Sequence, residues 1–119
     1  MKILILGGDG MIGHKMVQVL GAQNHEIVIS VREKRELSLK SFSSKSKVFF
    51  NNFLKQNVLN FLDKVNPDVI VNAIGVTIRR GAAENIADTI YLNSFFPHQL
   101  SNWALAFKKR LIHFSTDCV

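Results

Sequence analysis

Gly7, Gly8, Gly10 and Gly13 cluster in the opening stretch MKILILGGDGMIGHKMVQVL, where a short apolar run gives way to a helical pattern. Glycine weakens strands and helices alike, so a chain that places so many at one corner needs bare backbone there. The spacing fits two templates: Gly8, Gly10 and Gly13 read as G-x-G-x-x-G, and Gly7, Gly10 and Gly13 as G-x-x-G-x-x-G. Either one brings a phosphate pair to the start of a helix, where unpaired N–H groups and the positive end of the helix dipole favour an anion. The first glycine permits the tight turn, Gly10 lets the backbone approach the phosphates, and Gly13 lets the helix close on the strand. A P-loop is excluded, because Gly13 is followed by His14 and Lys15 and no Gly-Lys-Ser/Thr stands there.

Such a corner has meaning only between a strand and a helix. Lys2 to Leu6 reads as a short apolar strand. From Met11 to Leu20, Ile12, Met16, Val19 and Leu20 recur at helical spacing, with Gly21 as a stop. Glu26 to Val31 is a second strand, rich in β-branched residues. The serine- and lysine-rich stretch from Arg32 to Lys47 reads as a solvated loop, and Val48 to Phe50 as a short third strand. A helix is expected from Asn52 to Val65, capped by Asn51 or Asn52 and ended by Asn66-Pro67. Asp68 to Ile74 is a continuous apolar run, as expected of a strand covered on both faces. A loop from Gly75 leads to a long helix from about Asn85 to Lys108, in which Pro97 predicts a kink, and Leu111 to Phe114 is a last strand. Strands alternate with helices, so the expected fold class is α/β: a doubly wound parallel sheet in one domain spanning residues 1–119. A dinucleotide-binding corner of Rossmann type follows from that setting.

The composition supports a packed core, with hydrophobic residues at 47%. No apolar run approaches the ~20 residues of a membrane span, and the start is too short for a secretory leader, so the expectation is a cytoplasmic protein without a membrane partner. A single cysteine, Cys118, excludes an internal disulfide framework and a cysteine-cluster zinc site, and no metal site is expected. The net charge of +6 is scattered: Arg79-Arg80, Lys108-Lys109-Arg110, and a loose group from Arg32 to Lys47. Without aromatic-basic interleaving or helix-turn-helix spacing, this argues against nucleic acid.

The residue at the end of the second strand ordinarily decides between dinucleotides, an acidic side chain there favouring NAD. Here Val31 is followed by Arg32, with Glu33, Lys34 and Arg35 next. Arg32 can pair with a 2′-phosphate through a bidentate fork, which favours NADP with NAD as the alternative. The plainer reading leaves Arg32 as a solvated loop residue.

Four stretches, GGDGMIG, VNAIGVT, LNSFFPHQL and HFSTDCV, stand in order along the chain. Together they resemble the extended short-chain dehydrogenase/reductases, and the last two, with their spacing, are most similar to dTDP-4-dehydrorhamnose reductases and closely related nucleotide-sugar reductases and epimerases. The resemblance spans essentially the whole chain. It implies that Gly7, Gly10, Met11, Ile12 and Gly13 form the phosphate-binding turn. It implies that Asn72, Ala73, Ile74 and Gly75 pass beside the adenosine ribose and the nicotinamide half. Asn93 would help hold the active-site backbone, and Thr116 would be the hydroxyl that hydrogen-bonds the substrate carbonyl oxygen. Plainer readings stand beside these: Asn72 as a strand end, Asn93 as a solvent-facing helical residue, and Ser115-Thr116-Asp117 as a helix cap or turn. His98 and His113 read as packing or surface residues, and Trp103 and the phenylalanines as core.

The chemistry implied is NAD(P)H-dependent reduction of a 4-keto nucleotide sugar, in which a tyrosine gives the proton and a lysine four residues on lowers its pKa. The only tyrosine, Tyr91, precedes the STD segment and is followed four residues later by Phe95. The Tyr-x-x-x-Lys pair is therefore absent from these residues, and the reading is a cofactor-binding half whose sheet is incomplete at the C-terminal side and whose substrate lobe is absent. Such a chain alone exposes an apolar edge strand, so self-association, including a homo-oligomer, or weak stability is expected, and a stable monomer in sedimentation counts against it. The alternatives are a non-catalytic NAD(P)-binding sensor or regulatory module, and an epimerase or dehydratase of the same family.

Overall fold

The computed structural model describes residues 1–32, 46–75 and 86–114. Five strands form one sheet: β1 (Lys2–Leu6), β2 (Glu26–Val31), β3 (Lys47–Phe50), β4 (Val69–Asn72) and β5 (Arg110–His113). Their order is β3-β2-β1-β4-β5 and every pairing is parallel. This is the doubly wound Rossmann arrangement, in which strand order reverses between β1 and β4 and leaves a crevice outside their carboxyl ends.

Both sheet faces are covered, which explains why the central strands read as unbroken apolar runs. The alternation of side chains along β1 divides the core in two. Ile3 and Ile5 pack with Val17 of helix α1 (Met11–Gly21), while Leu4 and Leu6 pack on the other face. That second face is closed by helix α2 (Val58–Val65) and by a long helical segment. The segment runs as α3 (Ile86–Ile90), a π-helical turn (Tyr91–Phe95) and α4 (Phe96–Phe107). Phe96 and Leu100 are fully buried there, and Phe53 stacks on Phe96 with ring centroids 5.4 Å apart.

Several boundaries differ from the expectation, each for a local reason. Helix α2 begins at Val58 rather than Asn52, because Asn57 takes the cap and accepts from the Leu59 N–H at 2.9 Å. Asn52 instead supports a preceding turn, its Oδ1 accepting from the Leu54 N–H. The helix ends where expected, on Asn66 in the left-handed region at φ 48°. The buried face of α1 is also displaced. Ile12 and Val19 are exposed, Met16 and Leu20 pack partly buried against the core as expected, and Gly13 and Val17 are the buried residues of the helix. At Gly13 the helix comes closest to the turn, where a methyl would collide with the Gly7 carbonyl.

Pro97 perturbs the long helix as expected, through the turn before it. Proline has no N–H for the carbonyl four residues back and its ring crowds that carbonyl. The chain widens instead, and the Phe96 N–H reaches five residues back to the Tyr91 carbonyl. Trp103 is buried and its indole N–H donates to Asp63 Oδ1 at 2.9 Å, tying α4 to α2. The phenylalanines divide: Phe53, Phe61 and Phe96 are core, whereas Phe50, Phe95, Phe107 and Phe114 are exposed, contrary to the core reading. Among the described residues β5 is an edge strand, with Ile112 exposed. No helix among the described residues is long and apolar enough to cross a membrane.

Candidate functional site

The described residues bury two polar side chains, Ser30 and Asn72, which end up in one row across the sheet. Leu6 pairs in register with Ser30 of β2 on one side and Asn72 of β4 on the other. The row lies at the carboxyl end of β1, where the glycine turn starts. The Ser30 carbonyl accepts from both the Gly7 and the Gly8 N–H, at 2.9 and 3.2 Å, and so anchors the turn to β2. On the other side, the Ala73 N–H donates to the Leu6 carbonyl at 2.9 Å. Thus the turn is held between the ends of β2 and β4, at the reversal of strand order.

Gly7 adopts φ +81°, the left-handed region that favours glycine. A methyl there would lie 3.1 Å from the Ala73 carbonyl group and from Ile74 Cγ1. At Gly13 a methyl would collide with the Gly7 carbonyl oxygen. Both glycines are therefore required by the protein's own packing. Gly10 is different: its backbone is extended, at φ −76° and ψ 171°, and a methyl would meet only the Gly7 oxygen, at 3.4 Å. Nothing within the described fold requires a glycine there.

Gly10 is the N-cap of α1. Its own N–H is used by the Gly7 carbonyl at 3.1 Å, no side chain caps the helix, and the first turn holds no acidic residue. By helix geometry the N–H groups of Met11, Ile12 and Gly13 have no partner within the helix. Met11 and Ile12 are exposed. The corner therefore presents amide hydrogens and the positive end of a helix dipole to solvent, beside a residue without a side chain. A diphosphate fits that donor set and that space.

The other anticipated residues fall around this corner in graded fashion. Arg32 is exposed, two residues past Ser30 at the end of β2. Ala73, Ile74 and Gly75 leave β4 directly beside Gly7, and Gly75 lies beside the π-helical turn, where a methyl on it would be 3.6 Å from Asn93 Oδ1. Asn72 is fully buried. Its Oδ1 accepts from the Ile74 N–H and its Nδ2 faces His113 Nδ1, both at 3.1 Å. Its side chain thus organises the strand end from within. Tyr91 is occupied in the helical layer, its hydroxyl donating to Gln99 Oε1 at 3.0 Å. Thr116, with Ser115 and Asp117, lies outside the described residues, as do Glu33 to Arg35 and Arg79-Arg80. Among the described residues no cluster of three or more His, Cys, Asp or Glu could hold a metal ion.

Sequence reading passed over Ser30; it treated His113 as surface or packing, and the residue is exposed as expected, but its bond to Asn72 was not foreseen. The signal for both is register: each takes its place opposite a neighbouring strand's last residue, which spacing along one strand does not reveal.

The parallel sheet, its order and the glycine corner define a Rossmann-type nucleotide-binding fold. The model of the NAD-dependent epimerase/dehydratase family matches residues 3–119, and the chain belongs to that family. Among solved structures it is similar to the Bordetella bronchiseptica enzyme WbmG in complex with NAD, at 21% identity and TM-score 0.78, over 98% of this chain and 38% of that one. The same enzyme in complex with NAD and UDP is similar at 20% identity and TM-score 0.77, over 97% and 37%. Helicobacter pylori ADP-L-glycero-D-manno-heptose-6-epimerase is similar at 19% identity and TM-score 0.81, over 98% and 39%. The chain thus spans less than half the length of these enzymes. No curated protein matches it.

Proposed function

We propose that these residues form the cofactor-binding half of an NADP-dependent oxidoreductase that reduces a 4-keto nucleotide sugar. The observation that carries the reading is Gly10: it is the corner's one glycine that internal packing does not demand, and it stands beside exposed helix-start amides. A dinucleotide diphosphate accounts for it. Met11, Ile12 and Gly13 would donate their N–H groups to the phosphate oxygens, while Ala73, Ile74 and Gly75 would line the ribose and nicotinamide half. Asn93 would steady that backbone from the π-helical turn. Arg32 would grip a 2′-phosphate with its guanidinium fork. The nicotinamide, when bound, supplies or accepts the hydride. Thr116 would donate its hydroxyl hydrogen to the substrate carbonyl oxygen, and the proton completing the reduction would come from a tyrosine beyond these residues. The partner is then a nucleotide-sugar substrate, and the setting the cytoplasm.

An epimerase would use the same corner for oxidation followed by reduction at one ring carbon, and the family match favours keeping that second reading.

Arg32→Ala tests the cofactor assignment in a titration of NADPH against NADH. A charge-assisted bond to the 2′-phosphate is worth ~1.5–3 kcal/mol, so NADPH is expected to weaken about tenfold or more while NADH stays within about twofold. Equal weakening of the two would remove the 2′-phosphate argument.

A further inference from the structure

The carboxyl ends of β4 and β5 are joined by a side-chain bond that the glycine corner does not itself require. His113, the last residue of β5, stands in register with Asn72, the last of β4. Asn72 Oδ1 accepts the Ile74 N–H, and Nδ2 lies 3.1 Å from His113 Nδ1. The first bond decides the second. A backbone N–H only donates, so Oδ1 must face Ile74 and Nδ2 must face the imidazole. Nδ1 is then the acceptor, which makes His113 neutral with its proton on Nε2. The far end of this relay touches the glycine corner, because Ile74 Cγ1 is one of the atoms that would crowd a methyl on Gly7.

We propose that His113 is a positioning residue for the dinucleotide crevice: through the Asn72 amide it holds the backbone at Ile74, and its protonation releases that hold. The proposal rests on the dinucleotide reading of the corner. Protonated His113 carries hydrogen on both ring nitrogens and offers Asn72 Nδ2 nothing to donate to. Turning the amide over satisfies the imidazolium but sets Nδ2 against the Ile74 N–H, donor to donor. Asn72 is fully buried while His113 is exposed on the edge strand, so protonation leaves a buried amide donor facing another donor.

His113 is exposed on the edge strand, and partial desolvation of its imidazole holds it below the usual histidine range. The neutral relay is therefore intact at and above about pH 6.5 and is lost as pH falls below that, through the lowered value. Strand β5 packs against β4 and α4. Among the described residues, β4 carries no ionisable side chain and α4 carries only His98. On β5 itself Arg110 sits at the other end, opposite Val69.

The test combines amide NMR of the free chain with NADPH titrations at about pH 7.5 and at a pH below the His113 midpoint that the NMR titration reads. The Ile74 amide signal is expected to move with the same midpoint as the His113 ring protons. In His113→Asn, whose Oδ1 replaces Nδ1 as acceptor and does not titrate, that movement disappears. NADPH binding by the unaltered chain is expected to weaken about three- to tenfold at the lower pH, the worth of one net hydrogen bond. In His113→Asn it stays level and tight, whereas His113→Phe, which leaves Nδ2 without a partner, is weak at both. An Ile74 amide indifferent to His113, or pH dependence retained in His113→Asn, overturns the proposal. Should Ile74 follow His113 while no nicotinamide nucleotide binds at any pH, the dinucleotide reading falls and the relay stands.

Discussion

Gly13→Ala is expected to lose a substantial part of the fold's stability. The added methyl would collide with the carbonyl oxygen of Gly7, which is backbone and has no rotamer to change. That oxygen already accepts the Gly10 N–H at 3.1 Å, so moving it opens the turn. Moving α1 instead withdraws Val17, which is buried against Ile3 and Ile5 of β1 and against β2. Overpacking of this kind costs about 3 kcal/mol or more, against a total of about 5–15 kcal/mol for an ordinary domain. Urea unfolding followed by circular dichroism measures the loss. A change under about 1 kcal/mol would mean that helix and strand are not in contact at Gly13.

Gly10→Ala should behave in the opposite way. Its extended backbone suits any residue, and the new methyl would approach only one atom, at 3.4 Å. Replacing glycine at an N-cap and restricting the unfolded chain act in opposite directions, so stability should stay within about 1 kcal/mol. The methyl would, however, occupy the space beside the helix-start amides into which a diphosphate must come. Nicotinamide nucleotide binding should therefore weaken at least about tenfold, or ~1.4 kcal/mol, for NADPH and NADH together. This common loss separates Gly10 from Arg32, whose removal should affect NADPH alone. Calorimetry on the folded variant reads it. Undiminished binding would show that Gly10 does not face the ligand.

Where the chain's chemistry is local, it was legible in advance. The runs KILIL, EIVISV and VIVN read as strands because a parallel sheet covered on both faces needs no alternation of polar residues. The glycine corner was legible because its spacing is dictated by contacts within a few residues of itself. Pro97 marked the disturbed helix because its missing N–H acts on its own turn. What failed was longer-range. The face of α1 was assigned through Ile12, Met16, Val19 and Leu20; Met16 and Leu20 do pack on the core and Gly13 makes the close approach expected of it, but Ile12 and Val19 are exposed and Val17 is buried instead. For helix α2 the reading took Asn51 or Asn52 as the cap, whereas Asn57 caps it, next to Val58, the first of the residues that bury its apolar face. The bond between Asn72 and His113 depends on strands separated by 41 positions meeting in one register, which no spacing rule contains.

The central claim is that the amide hydrogens at the start of α1 receive the diphosphate of a nicotinamide dinucleotide. Following the backbone amide signals while NADPH is added tests it most directly. The account predicts that Met11, Ile12 and Gly13 shift first and furthest, saturating together with Ile74 and Gly75 on one binding curve. Binding that leaves Met11, Ile12 and Gly13 unmoved, or no binding at all, would contradict it.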